Sequence, residues 1–283
     1  MANRGALKEA LFFSIITLGC SYVIFWGPLA VFKVPTISFV SETHGPVWAI
    51  ILFMLGGFVP SLVALILTAL HEGRAGVQSL GRRFTHFHIG LRWYLAMVAV
   101  VLLGTAGQIA LNLLEGYGFD FSIFLAQLPS FLPLIIIGPI SEEFGWRGYL
   151  LPRLQNRWNA LTSSLVVGTI WALWHLPLFY IPGTSQRELH LPFLGFLAGL
   201  IALSIIMTWI NNNTSNSIWA AVFFHWIYTY AAQVQSTGVT RSPFFNRLEY
   251  LPYIVIALLV VVIWKPAHLS AMSETEQVRI QAT

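Results

Sequence analysis

Apolar runs about 20 residues long follow one another along most of this 283-residue chain, separated by short polar links. A helix rising about 1.5 Å per residue needs a run of that length to cross the roughly 30 Å hydrocarbon core of a bilayer. In hydrocarbon every backbone N–H and C=O must be paired within the protein, so only helices and closed barrels span it. Barrel strands would read as short alternating segments, and none is sustained here. Composition agrees, with 57% hydrophobic and 9% charged residues, against roughly 25% charged in soluble domains. The sequence predicts an all-α, polytopic helical transmembrane bundle of about eight spans, within a range of six to eight. They fall at residues 10–31, 47–70, 93–114, 132–151, 161–181, 193–210, 218–234 and 251–264.

One transmembrane domain is expected over residues 1–265, followed by a polar cytoplasmic tail at 266–283 that reads as disordered. The first run is too long for the apolar region of a signal peptide and lacks an Ala-x-Ala cleavage site. With the N-terminus cytoplasmic, Lys33, Arg187, Arg241 and Arg247 lie outside and the other eleven of the fifteen Lys and Arg lie inside. That bias assigns both termini to the cytoplasm, in what is expected to be a bacterial cell membrane. The net charge of +4 therefore reflects topology. No compact basic cluster with interleaved aromatics points to nucleic acid. Cys20 is the single cysteine, which excludes an intrachain disulfide and a cysteine-based metal site. No internal repeat is evident, which argues against a transporter built from repeated halves.

Against this apolar background stands Glu142-Glu143-Phe144-Gly145-Trp146-Arg147, inside the fourth span. Ionisable side chains are costly there and usually functional. At about 100° per residue, Glu143 and Arg147 lie one turn apart on one face and can satisfy each other. Glu142 points elsewhere, and a carboxylate without that cation is a candidate general base. For Glu143 and Arg147 a buried ionic staple between helices is an equally good reading, as is an Arg147 that snorkels to the membrane edge. Two other spans each hold one deep histidine, His175 and His225, with Thr229 one turn after the second. Trp171 precedes His175 by one turn and can cover its ring. Pro177 removes a backbone donor and crowds the Leu173 carbonyl, which predicts a bend just past His175. Either histidine alone reads as a satisfied core residue; the set across three spans reads as a site. Counting along the spans puts His175 nearer the outer end than Glu142 and His225, so a kink at Gly138-Pro139 or Pro177 has to bring them level. An aspartyl dyad is excluded because Asp120 is the only aspartate and sits in an outer loop, and no His-Glu-x-x-His helix exists.

Glu-Glu-x-x-x-Arg at 142–147, aromatic-x-x-x-His at 171–175, and His225 preceded by Ser217-Ile218-Trp219-Ala220-Ala221 resemble the CPBP family. That family includes CAAX prenyl endopeptidases and bacteriocin-processing and immunity membrane proteins. The resemblance covers roughly residues 132–230. It implies an intramembrane endopeptidase acting on a membrane-associated or CAAX-like protein or peptide, with or without a lipid. It implies that Glu142 activates the attacking water, that Glu143 and Arg147 shape the site, and that His175 and His225 complete it. The family commonly has phenylalanine where Trp171 stands, and an oxyanion-donating asparagine where Thr229 stands. A threonine hydroxyl still donates but is shorter.

Two mechanisms fit the resemblance. The preferred one needs no cofactor: Glu142 deprotonates water, and the histidines with Thr229 stabilise the oxyanion. In the other, Glu142, His175 and His225 bind zinc and leave one position for water. The expected partners are the bilayer and a peptide or protein substrate; the oligomeric state is not legible. The rival readings are a non-proteolytic binding or immunity protein of the same fold and a proton-coupled transporter.

Overall fold

In the computed structural model, residues 2–36, 44–127, 136–238 and 248–270 are described. They form helices α1 (Ala2–Cys20), α2 (Trp26–Val31), α3 (Val47–Phe84), α4 (Leu91–Leu114), α5 (Phe121–Gln127) and α6 (Ile137–Glu143). After these come α7 (Leu151–Gln155), α8 (Ala160–Trp174), α9 (Ser185–Glu188), α10 (Phe193–Asn213), α11 (Ile218–Gly238) and α12 (Leu251–Trp264). Wide π turns at Ser21–Phe25 and Phe144–Leu150 join α1 to α2 and α6 to α7. No strand occurs among the described residues, so the chain is the all-α bundle its hydropathy predicts.

Among the described residues four helical stretches are long and apolar enough to cross a membrane: Gly5–Val31, Val47–Phe84, Leu91–Leu114 and Phe193–Asn213. Ala160–Trp174 and Leu251–Trp264 are shorter apolar helices. The expected span at 132–151 falls partly outside the described residues. Leu11 and Ile15 on α1, Ile66 on α3, Leu102 and Leu103 on α4, and Leu258 and Val262 on α12 are exposed. Such apolar exteriors suit lipid rather than water, and the protein is an integral membrane protein.

The centre of the bundle is the π turn after Glu143. Gly145, Trp146, Arg147, Gly148, Tyr149 and Leu150 are all buried, because other helices surround this turn. Gly145 lets α3 approach closely: a Cβ there would lie 2.8 Å from the Pro60 backbone. Gly168 does the same between α8 and α10, where a Cβ would lie 2.6 Å from the Ile201 Cα. Small residues at such crossings let helices pack on backbone in a membrane.

Pro152 explains how the π turn ends. It has no N–H, so it cannot donate to Gly148 in an α register or to Arg147 in a π register. Both carbonyls are taken by Arg83, whose Nη1 donates to Gly148 O and whose Nη2 donates to Arg147 O, each at 2.9 Å. Its Nε donates to Asn216 O, also at 2.9 Å, which ties in the α10–α11 turn. Arg83 reaches this spot because α3 breaks at Gly73 (φ 65°, ψ −155°) and resumes in a new direction. A positive φ of that kind favours glycine. Charge-assisted hydrogen bonds are about twice as strong as neutral ones. Arg83→Gln is therefore expected to cost about 2–4 kcal/mol, measured as a lower unfolding midpoint in detergent; an unchanged midpoint would remove Arg83 from this account.

Pro177 acts in the same way. Helix α8 ends at Trp174, and Leu176–Phe179 tightens into a 3₁₀ turn, the bend expected past His175. The Leu173 carbonyl, which Pro177 cannot pair, accepts from the Tyr22 hydroxyl.

Arg153 on α7 bonds Glu9 of α1 at 2.7 Å and Glu72 of α3 at 2.5 Å. Residues 266–270 lie against the start of α8 and the end of α10. Ala160 N–H donates to Ala267 O at 3.0 Å, and the side-chain amides of Asn212 and Asn213 donate to His268 O and Leu269 O at 2.8 and 2.9 Å. Leu269 is fully buried. Ordered packing thus runs past residue 265, because asparagine amides in the last turn of α10 take up the tail's carbonyls. Residues 271–283 of the expected tail lie outside the described residues.

Candidate active site

The pairing that spacing predicts is present. Arg147 Nη1 donates to both oxygens of Glu143, at 3.0 and 3.1 Å, with both side chains fully buried. Arg147 is therefore a core residue rather than a snorkelling one. The face of Trp171 covers its guanidinium at 4.7 Å, while Nε and Nη2 have no hydrogen-bond partner among the described residues. Glu143 also accepts from His225 Nδ1 at 2.9 Å. Arg147 and His225 thus converge on Glu143 and hold α6, the π turn and α11 together.

Glu142 faces elsewhere, as its rotation predicts. Its Oε2 accepts from Trp171 Nε1 at 2.6 Å and from Trp146 Nε1 at 3.2 Å. Both donors are neutral and cannot be proton sources. The two adjacent glutamates are therefore chemically distinct: one is locked into an ion pair, and the other is a buried carboxylate held, among the described residues, by indoles.

His175 caps the end of α8. Its Nδ1 lies 2.8 Å from the Trp171 carbonyl. A carbonyl can only accept, so Nδ1 carries the proton there, and the Glu143 carboxylate imposes the same on His225. In both rings Nε2 is the uncommitted atom. Aromatic rings wall in His175, with Trp174 at 4.7 Å and Phe196 at 5.3 Å between centroids. Trp171 lies beside both histidines: its centroid is 5.2 Å from that of His225 and 6.1 Å from that of His175. Thr229 lies one turn beyond His225 on α11 and is partly exposed.

Zinc held by Glu142, His175 and His225 is the metal-dependent alternative. Among the described residues no three His, Cys, Asp or Glu side chains are placed to hold one metal ion. Glu142 keeps Oε1 and each histidine keeps Nε2, the atoms a zinc set would use, since the indoles take Oε2 and each Nδ1 is on an oxygen.

Sequence spacing missed two residues here. Trp146 lies one turn after Glu142, so the i, i+4 rule that paired Glu143 with Arg147 also placed an indole within reach. The reach of Trp171 back to Glu142 crosses 29 positions and has no local signal.

Comparison with known proteins finds a similar domain and two similar relatives. Residues 124–231 match the model of the type II CAAX prenyl endopeptidase, Rce1-like, family, a stretch close to the core expected at 132–230. The chain is 29% identical over 202 residues to CAAX prenyl protease 2 of Methanococcus maripaludis, covering 66% of this chain and 73% of that protein. It is 25% identical over 217 residues to lysostaphin resistance protein A of Staphylococcus haemolyticus, covering 74% of this chain and 55% of that protein. The family-model match takes in the Glu-Glu-x-x-x-Arg segment, Trp171, His175, His225 and Thr229 together, and over residues 124–231 the chain is similar to the Rce1-like endopeptidases.

Proposed function

We propose that this protein is an intramembrane endopeptidase that hydrolyses a peptide bond of a membrane-associated, CAAX-like protein or peptide with a water activated by Glu142. One observation carries the reading. Of two adjacent buried glutamates, Glu143 takes Arg147 and His225, and Glu142 is held, among the described residues, by neutral indole N–H groups. Glu142 Oε1 accepts a proton from water, and the hydroxide adds to the scissile carbonyl. The Thr229 hydroxyl and His225, held by Nδ1 on Glu143, stabilise the oxyanion. His175 Nε2 orients the water. Collapse of the tetrahedral intermediate breaks the C–N bond, and Glu142 returns its proton to the leaving amine.

The protein sits in the bilayer with both termini in the cytoplasm, and no cofactor takes part. The test uses protein in proteoliposomes and a quenched-fluorescent peptide ending in a CAAX-type sequence, prenylated or unmodified. Cleavage by the wild type that is lost in Glu142→Gln supports the reading, and equal cleavage by both defeats it. A chelator arm decides the metal question: loss of turnover restored by zinc would assign Glu142, His175 and His225 as ligands, and unchanged turnover supports the metal-free route. A second reading, a non-proteolytic binding or immunity protein, is favoured by Thr229 in the family's asparagine position and by the name of the staphylococcal relative. It predicts a phenotype that survives alanine at Glu142, His175 and His225.

A further inference from the structure

Trp171 stands where the family commonly has phenylalanine, and here its indole N–H makes the shortest hydrogen bond that Glu142 accepts, at 2.6 Å. We propose that Trp171, assisted by Trp146, is a positioning residue that fixes Glu142 by Oε2 and so makes Oε1 the oxygen that takes the proton of the attacking water. The inference rests on the endopeptidase reading above.

Two donors on one carboxylate oxygen occupy its accessible lone pairs and draw negative charge onto it. They also stop the carboxylate rotating about its last torsion, which is otherwise broad and roughly two-fold. Neither ring is free to move. Trp171 is 2% exposed and is held between the Arg147 guanidinium at 4.7 Å and the edge contact with His225 at 5.2 Å. Trp146 is fully buried, with edge contacts to Phe13 at 5.8 Å and Trp174 at 5.7 Å. The same Trp171 fixes His175 Nδ1 through its backbone carbonyl. One residue therefore sets the carboxylate that takes the proton and the imidazole that faces the water, from a single turn of α8. Phenylalanine at 171 keeps the surface for Arg147 and His225 but leaves Oε2 with only the longer Trp146 bond.

Two readouts test this. The first needs no turnover: indole ¹⁵N–¹H spectra of the protein in detergent. Trp171→Phe identifies the Trp171 resonance by its loss, and Glu142→Gln is expected to move that resonance upfield as its acceptor becomes a neutral amide. A Trp171 line unmoved by Glu142→Gln overturns the proposal. If Trp171→Phe does not fold, the one indole line besides that of Trp146 that moves in Glu142→Gln gives the same answer. The second is the kcat and KM split on the quenched-fluorescent CAAX-type peptide. Trp171→Phe is expected to lower kcat about tenfold to a hundredfold with KM within about twofold, because only the hydrogen bond is lost. A kcat equal to the wild type's overturns the positioning role. Glu142→Gln separates the two ideas. If that variant cleaves like the wild type, the endopeptidase reading fails; if it is inactive while Trp171→Phe keeps full kcat, only the positioning role fails.

Discussion

Glu142→Gln is expected to reduce peptide cleavage by about 10²–10⁴-fold, the usual contribution of a general base, without lowering the unfolding midpoint. Glutamine has nearly the same shape, and its amide oxygen still accepts from Trp146 and Trp171, so both indole N–H groups stay paired. It cannot take a proton from water. The substitution therefore removes one chemical property and little packing. Conservative replacement of Glu143 has no such clean outcome, since that carboxylate holds Arg147 and His225 in place. Measuring cleavage and thermal unfolding on the same preparations separates the two glutamates: Glu142→Gln inactive and stable, Glu143→Gln inactive and destabilised.

Arg147→Met and Glu143→Gln are each expected to lower stability by about 3–5 kcal/mol, the cost of leaving one partner of a buried ion pair without the other. Both side chains are fully buried, and Arg147 already has two nitrogens without hydrogen-bond partners among the described residues. Its charge is thus offset mainly by Glu143 and the Trp171 face. The double variant is expected to recover part of the loss, because both charges then leave together. Unfolding in detergent, run as a double-mutant cycle, reads this directly. Losses that simply add would mean that Glu143 and Arg147 do not depend on each other, and the ionic staple would be wrong.

Much of the fold and part of the site can be read along the chain, and the boundary follows the range of each interaction. Helices and their apolar faces come from composition and periodicity, which are local. So does Glu143 with Arg147, and so does the bend after His175, since a proline acts on the carbonyl four residues before it. The missed features join distant segments. Arg83 could be counted only as one more positive charge near a membrane edge. That it closes the gap opened by Pro152 depends on the break at Gly73 and on packing between residues about 65 positions apart. The π turn was equally hidden, although Pro152 was its visible cause. Trp171 was legible as a cover for His175 one turn away, but not as a donor to Glu142. The polar tail read as disordered for lack of apolar residues, and its first residues are held instead by asparagine amides on α10.

The central claim, peptide hydrolysis that depends on Glu142, is tested most directly by comparing peptide termini in cells that lack the chromosomal copy and express either wild type or Glu142→Gln. The account predicts new termini in membrane-associated proteins with the wild type alone, with both variants inserted to equal levels. Identical terminus profiles from two equally folded and inserted proteins would contradict it and leave the binding or immunity reading in its place.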